Sequence, residues 1–339
     1  MKNRFFIRSL VLGIILALIL NFITLPYYVT RPGFAQDLQP IVVVEDGYNH
    51  EGKFMLTTVK MGKANIFTYL YSKWNDYYLT YPIKDILQEG ETDQEYTNRQ
   101  LYYMENSKET AIKIAYEKAG KEVTVNSRGV YVLRTVVGMP AENVLKFGDK
   151  IISVNGTETV TAEAFMDLVA QKSVGDTIDI TLVRDGNEED VSITLQPFPD
   201  DKDRAGVGIQ LVTDFDVKTD PSIDIDSAKI GGPSAGLMFS LEIYNQLTEE
   251  DIAKGYQIAG TGTINEDGTV GRIGGISQKI VAAHKSGVDI FFAPNENGAD
   301  NSNYLEAVKV AKDIGTQMQI VPVDTFDEAI AFLQQQQPK

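Results

Sequence analysis

Gly231-Gly232-Pro233-Ser234-Ala235-Gly236, followed downstream by Gly271-Arg272-Ile273-Gly274-Gly275-Ile276-Ser277-Gln278-Lys279, is the part of the chain that decides its reading. These glycine-rich stretches interrupt strand-like runs at 207–212, 257–264, 288–293 and 319–323. Between the runs lie helical patterns after Pro233, around 276–284, around 305–313 and from Thr325 onward. Thr325 with Glu328 makes a capping box for the last helix. Such alternation predicts an α/β arrangement. In the first stretch glycines permit close backbone approach, and Pro233 suits a first helical position. Leu237, Met238, Leu241, Ile243 and Tyr244 then give a helix something to bury. Ser234 is thus expected where a tight turn enters a helix. The backbone of Gly232, Pro233 and Ala235 frames it, and free N–H groups at such a turn can hold an oxyanion.

A serine hydroxyl needs a base, and two are available. Gly232-Pro233-Ser234-Ala235-Gly236 fits the G-x-S-x-G elbow, whose order is serine, acid, histidine. His284 follows in that order, with Asp251 or Asp267 as the acid. The other base is Lys279, whose ammonium must lose about 3 pKa units through burial before it can accept a proton. Its surroundings suit burial: Ile273, Ile276, Ile280, Val281, Ala282 and Ala283 are apolar, and no carboxylate occurs from 268 through 287. At helical spacing Ile276, Ile280 and Ala283 share one stripe.

Composition narrows the classes. The 339 residues allow about two domains at roughly 150 residues each. A net charge of −16 argues against a nucleic-acid partner. The chain has no cysteine, which removes thiol nucleophiles, thiolate metal sites and disulfides. With two histidines, His50 and His284, no multi-imidazole metal site can be assembled, and neither a metal nor another cofactor is expected. The alternating acids of 220–226 read as a strand edge. The sequence holds no G-x-x-x-x-G-K-[ST] phosphate loop, so no ATP is expected as a partner.

At the N-terminus Lys2, Arg4 and Arg8 precede 22 uncharged residues, 9–30, rich in leucine and isoleucine. As a helix this run matches the hydrocarbon thickness of a bilayer. The basic flank would keep its N-terminal end cytoplasmic, with Tyr27 and Tyr28 at the far interface. A cleaved signal would have a shorter apolar core and a small-x-small site, of which Gly33 and Ala35 offer a poor version. The expectation is an uncleaved single-pass anchor in the cell membrane, with the rest of the chain extracytoplasmic.

Residues 37–122 contain a strand-like run at 54–61, an aromatic stretch at 67–81, and a helix expected to begin at Ser107 and stop at Gly120. Trp74 and its neighbouring tyrosines read as core or interface packing rather than a ligand box, and His50 as an exposed loop residue. From about 123 to 197 short strands and one helix follow, with turns at Asn155-Gly156 and Asp185-Gly186. Thr161 caps the helix, which carries Phe165, Leu168 and Val169 on one face.

The run Pro140-Ala141-Glu142 through Leu145-Lys146-Phe147-Gly148-Asp149-Lys150-Ile151-Ile152-Ser153-Val154-Asn155-Gly156 resembles a bacterial PDZ domain. That resemblance implies a small mixed α/β module that adds an extended peptide to a strand edge. The receiving edge would begin at Gly129, Val130, Tyr131 and Val132, with Phe165 and Leu168 across the groove. The alternative is that these apolar residues fill the module's own core.

Gly232-Pro233-Ser234-Ala235-Gly236, Thr261-Gly262-Thr263-Ile264, Ile273-Gly274-Gly275-Ile276-Ser277-Gln278-Lys279 and Ala282-Ala283-His284 resemble, in order and spacing, the proteolytic domain of Lon-type serine proteases. The resemblance implies Ser234 as nucleophile, Lys279 as general base and Thr261 as orienter of the lysine. His284 then becomes a structural helix residue. Two family carboxylates are replaced here, by Gly231-Gly232 before Pro233 and by Thr263 after Thr261-Gly262. Anchor, PDZ module and Lon-like domain together resemble the SepM/YlbL group of membrane-anchored proteases of Gram-positive bacteria, whose streptococcal relatives trim a secreted peptide pheromone. Lon-type domains often form rings, so a homo-oligomer is an allowed expectation that no residue here predicts.

The expected architecture is an anchor over 1–36, an N-terminal extracytoplasmic region over 37–122 that packs on the protease domain, a PDZ domain over 123–200, and an α/β (α+β) Lon-like domain over 201–339. The expected function is an ATP-independent serine endopeptidase acting on peptide or protein substrates. A Ser234-Asp-His284 hydrolase and a non-catalytic PDZ peptide-binding membrane adaptor remain open beside it.

Overall fold

The computed structural model describes residues 2–88, 90–199, 201–227 and 230–339, without the side chains of 2–5, 9, 16, 17, 19 and 203. The chain forms two compact units. The first comprises 1–88, 103–120 and 221–339, and the second 89–102 and 121–220.

The first unit is built on a six-stranded sheet. In spatial order its strands are Gln319–Val323, Ile290–Pro294, Gln257–Gly260, Lys53–Asn65, Thr24–Asp37 and Leu79–Pro82. The first four run parallel, and the last two join antiparallel. The strand Ile290–Pro294 is buried at every residue, as a parallel strand covered on both faces must be. Helix Ile276–Lys285 packs Ile276, Ile280 and Ala283 into the core with Met55, Ala259 and Phe291, so the apolar stripe read from the sequence is the buried one.

Half of this sheet comes from residues assigned by sequence to an anchor and to a separate N-terminal region. Lys53–Asn65 pairs in parallel with Gln257–Gly260, so 37–122 supplies sheet strands to the unit that contains Ser234 rather than packing on it from outside. The N-terminal helix is Lys2–Phe22, shorter at its C-terminal end than the apolar run 9–30. Thr24–Asp37 is a strand, and Tyr28 is buried in it. Gly33 and Ala35 lie inside that strand, so a cut there would sever the sheet. Among the described residues no helix is long and apolar enough to cross a membrane.

Three further expectations are corrected. Helix Asp93–Ala119 starts well before Ser107. Its cap is Thr92, whose hydroxyl accepts from Glu95 N–H at 3.2 Å while the Glu95 carboxylate accepts from Thr92 N–H at 2.7 Å. Trp74, read as packing, is 83% exposed. His50 is half-buried rather than free, its Nε2 within 3.0 Å of Asn245 O and 3.1 Å of Thr248 O at the end of helix Gly236–Leu247. Residues Ile223–Ile225 do form a strand, paired with Val42–Val44, and among the described residues no acidic or histidine cluster could hold a metal.

The second unit carries a sheet in the order Ile209–Asp220, Glu122–Thr135, Lys150–Val154, Thr177–Arg184, Asn187–Thr194, with helix Ala162–Ala170 capped by Thr161. The hairpin turns fall at Asn155-Gly156 and Asp185-Gly186, all four residues at positive φ. This unit runs to residue 220 because Ile209–Asp220 pairs along the whole of Glu122–Thr135.

Candidate active site

Ser234 sits in the turn before helix Gly236–Leu247, whose cap is Ala235. Pro233 therefore lies ahead of the helix rather than at its first position. Gly232 has φ +89°, and a side chain at Gly236 would meet Ile264 at 2.6 Å and Ser107 Oγ at 2.7 Å, so the turn can pack here only with glycine. The Ser234 carbonyl accepts from Gly262 N–H at 3.0 Å and from the Thr261 hydroxyl at 2.9 Å. The preceding carbonyl, of Pro233, accepts from the Ser107 hydroxyl at 3.0 Å. These three bonds tie the serine turn to the end of strand Gln257–Gly260 and to helix Asp93–Ala119.

Lys279 lies in the first turn and a half of helix Ile276–Lys285, 3% exposed. Its Nζ donates to Ser234 Oγ at 2.7 Å and to Thr261 Oγ1 at 2.7 Å. Burial pushes the Lys279 ammonium down to about 7, with no carboxylate contributing. A lysine at that value is substantially neutral at physiological pH and can take the proton of a hydroxyl it touches. Thr261 is fully buried and links both partners, accepting from the lysine and donating to the serine's carbonyl.

The histidine alternative does not assemble. His284 is exposed on helix Ile276–Lys285. Asp251 spends its carboxylate on the N–H groups of Gly52, Ala253 and Gly255, and Asp267 holds Thr269. Among the described residues no acid–histidine pair faces Ser234. Ser107 is the neighbour that sequence reading missed. It was read as a helix cap because the true start, Thr92-x-x-Glu95, precedes a stretch with little apolar periodicity.

In the second unit the expected receiving edge is corrected. Gly129, Val130, Tyr131 and Val132 lie in a strand paired on one side with Ile209–Asp220 and on the other with Lys150 and Ile151. Val130, Val132 and Phe165 are core residues, with Leu168 packed against them. Tyr131 stacks on Tyr102 with ring centroids 5.2 Å apart. At one end of the sheet lies Asn187–Thr194, and at the other, beside Glu122–Thr135, the edge strand Ile209–Asp220. It is closed at Thr213, whose carbonyl accepts from the Tyr102 hydroxyl at 3.2 Å and whose hydroxyl accepts from Ala162 N–H at 3.0 Å.

Two family models match the chain, with boundaries that differ from those of the two compact units. Residues 219–335 match the family model of the Lon protease (S16) C-terminal proteolytic domain, and residues 103–195 that of the PDZ domain. A Lon protease of Mesomycoplasma hyopneumoniae is 34% identical over 102 residues, covering 30% of this chain and 11% of its own length. A Lon protease of Methanosarcina barkeri is 31% identical over 142 residues, covering 38% of this chain and 16% of its own. The chain thus spans only a small part of these Lon proteases. The PDZ domain of an SdrC-like protein from Listeria monocytogenes is 34% identical, covering 26% of this chain and 93% of that chain with a TM-score of 0.25. The chain therefore carries a PDZ domain together with a Lon-type (S16) C-terminal proteolytic domain.

Proposed function

We propose that the chain is an ATP-independent serine endopeptidase in which Ser234 is the nucleophile and Lys279 its general base. The observation that carries this reading is the buried Lys279 Nζ within 2.7 Å of Ser234 Oγ, its charge suppressed by burial. Neutral Lys279 accepts the hydroxyl proton as Ser234 Oγ bonds to the scissile carbonyl carbon. The oxyanion is held by backbone N–H groups of the 232–235 turn, since those of Gly236 and Leu237 already donate to the carbonyls of Pro233 and Gly262. Lys279 then gives the proton to the leaving amine as the C–N bond breaks, leaving an acyl-serine. Water then bonds to the acyl carbon as Lys279 Nζ takes its proton, and Lys279 returns that proton to Ser234 Oγ as the ester C–O bond breaks, releasing the acid product and restoring the site. Thr261 fixes the lysine's direction.

The substrates are extended peptides, secreted or close to the membrane, a signalling pheromone among them by the resemblance stated above. The PDZ unit would receive them on the edge of Ile209–Asp220 by strand addition. The N-terminal helix Lys2–Phe22 anchors the chain, with the catalytic unit outside the cell. Support for the anchor is the uncharged run after Arg8 and the exposure of Leu10, Val11, Leu12, Ile14, Ile15 and Leu18.

The test is cleavage of an extended-peptide library by the full chain, followed by mass, in wild type, Ser234→Ala, Lys279→Ala and His284→Ala. Loss in the first two variants and retention in His284→Ala is expected. Loss in His284→Ala would move the enzyme to the elbow class. Peptide binding without cleavage by wild type would favour the adaptor reading.

A further inference from the structure

Within the first unit one surface is left without a role by the chemistry above. The short helix Ile66–Tyr71 and the turn after it expose Phe67, Leu70, Tyr71 and Trp74, at 45%, 48%, 47% and 83%. Aromatic contacts brace it from behind: Tyr69 lies 5.2 Å from Tyr27, and Tyr71 stands edge-on to Tyr78 at 4.6 Å. The patch is therefore held in shape while its apolar side faces outward. A soluble surface rarely offers large aromatics in one place without a partner.

Two observations say what covers it. The first is continuity with the N-terminal helix. The Asn65 amide, which caps helix Ile66–Tyr71, donates to the Asn21 side chain at 2.8 Å, next to Phe22, 81% exposed, and Ile23, 44% exposed. The second is charge. In a chain of net −16, residues 22–36 and 54–75 contain Arg31, Lys60, Lys63 and Lys73 and no acid. Strand pairing places Arg31 opposite Lys60 and Tyr28 opposite Lys63, and Lys73 Nζ lies 4.8 Å from the Tyr69 ring. Aromatic rings with tryptophan, rimmed by cations and attached to the end of an apolar helix, match the headgroup region of an anionic bilayer.

We infer that Phe67, Leu70, Tyr71 and Trp74, with Lys60 and Lys73, form a seat that rests on the anionic headgroup surface of the membrane and fixes how the protease unit is presented there. The inference rests on the anchor reading but adds a second, separable contact. A tether alone would let the unit swing, whereas a seated unit meets substrates emerging at the membrane at a set height.

Trp74 is the chain's only tryptophan, so its fluorescence reports on this seat alone. The full chain is reconstituted into vesicles of phosphatidylcholine with or without phosphatidylglycerol, in each case with plain or brominated acyl chains, and vesicle flotation is measured in parallel. The expected result is flotation in both lipid mixtures. In the anionic one Trp74 emission shifts to the blue and is quenched by the brominated chains. Both effects should weaken in Lys60→Glu/Lys73→Glu and at molar salt, where the screening length falls to about 3 Å, while flotation persists.

Flotation with Trp74 still emitting as in water overturns the seat and leaves the anchor standing. No flotation overturns both. A blue shift that grows with protein concentration in detergent and is insensitive to brominated lipid assigns the patch to a second copy instead.

Discussion

The two units place their candidate function in opposite kinds of chemistry. In the Lon-type unit it resides in side chains, Ser234, Lys279 and Thr261, drawn to 2.7 Å contacts by a core that leaves the lysine 3% exposed. In the PDZ unit it resides in backbone, the edge of Ile209–Asp220 on either side of the closure at Thr213, whose side chains do not announce it. A side-chain site can be damaged by changing one functional group, while an edge is damaged only by changing the main chain. Substitutions that respect or ignore this difference should therefore separate the two units.

The largest effects belong to the dyad. Ser234→Ala should abolish peptide turnover, and Lys279→Met should lower it by about 10²–10⁴-fold, the usual worth of a general base. Because Lys279 titrates lower in the folded chain than unfolded, the unfolded chain binds the extra proton between pH 7 and 10.5, and stability rises with pH across that window. Lys279→Met should remove this rise, measured by denaturant unfolding at pH 7 and pH 10. A base-type loss of activity with an unchanged stability slope would mean that the lysine is not desolvated in the native state.

Thr261→Val comes next. It leaves a buried lysine short of one acceptor, a loss of about 1–3 kcal/mol, or roughly 5- to 150-fold in kcat/KM. Thr261→Ser should recover most of it, since only the hydroxyl is used.

The edge should show a smaller and more selective effect. Leu211 lies two residues before Thr213, whose carbonyl faces away from the paired strand toward Tyr102, so Leu211 presents its N–H on the same open side. Leu211→Pro removes one donor, worth about 1 kcal/mol. It should raise KM several-fold for long peptides and leave short chromogenic ones unchanged. Equal loss on both would place the edge outside substrate capture.

The smallest effect on activity is expected at Glu242, buried on the helix that follows Ser234 and hydrogen-bonded by Gln246 at 2.6 Å. Burial pushes its carboxyl up to about 7. The folded chain then holds more protons than the unfolded one between pH 4.5 and 7, so stability falls as pH rises through that window. Glu242→Gln should abolish this fall and stabilise the protein at pH 8 by about 3 kcal/mol at most, with turnover retained. Thermal melts at pH 5 and pH 8 would show it.

The same contrast explains what could be read from the amino acids. Glycine spacing singled out Ser234, and an acid-free apolar stripe made Lys279 one of two candidate bases, between which the family resemblance chose; burial of Ile276 and Ile280 follows directly from that stripe. The open edge was not legible. Whether Val130–Val132 or Ile209–Asp220 lies at the margin depends on a pairing between segments some eighty residues apart, and both strands look alike in sequence. The sheet contribution of 24–65 was hidden for the same reason, as Lys53–Asn65 joins Gln257–Gly260 across two hundred residues. Ser107 was misplaced because a capping residue and a hydroxyl that reaches another segment have the same letter.

The account's central claim is that neutral Lys279 serves Ser234. The most direct measurement is the pH dependence of kcat/KM for one peptide, in wild type and in His284→Ala. The account predicts an acid limb with an apparent pKa near 7 that is the same in both proteins. A limb that disappears in His284→Ala, or an inflection that moves toward the ordinary lysine value near 10.4, would contradict it.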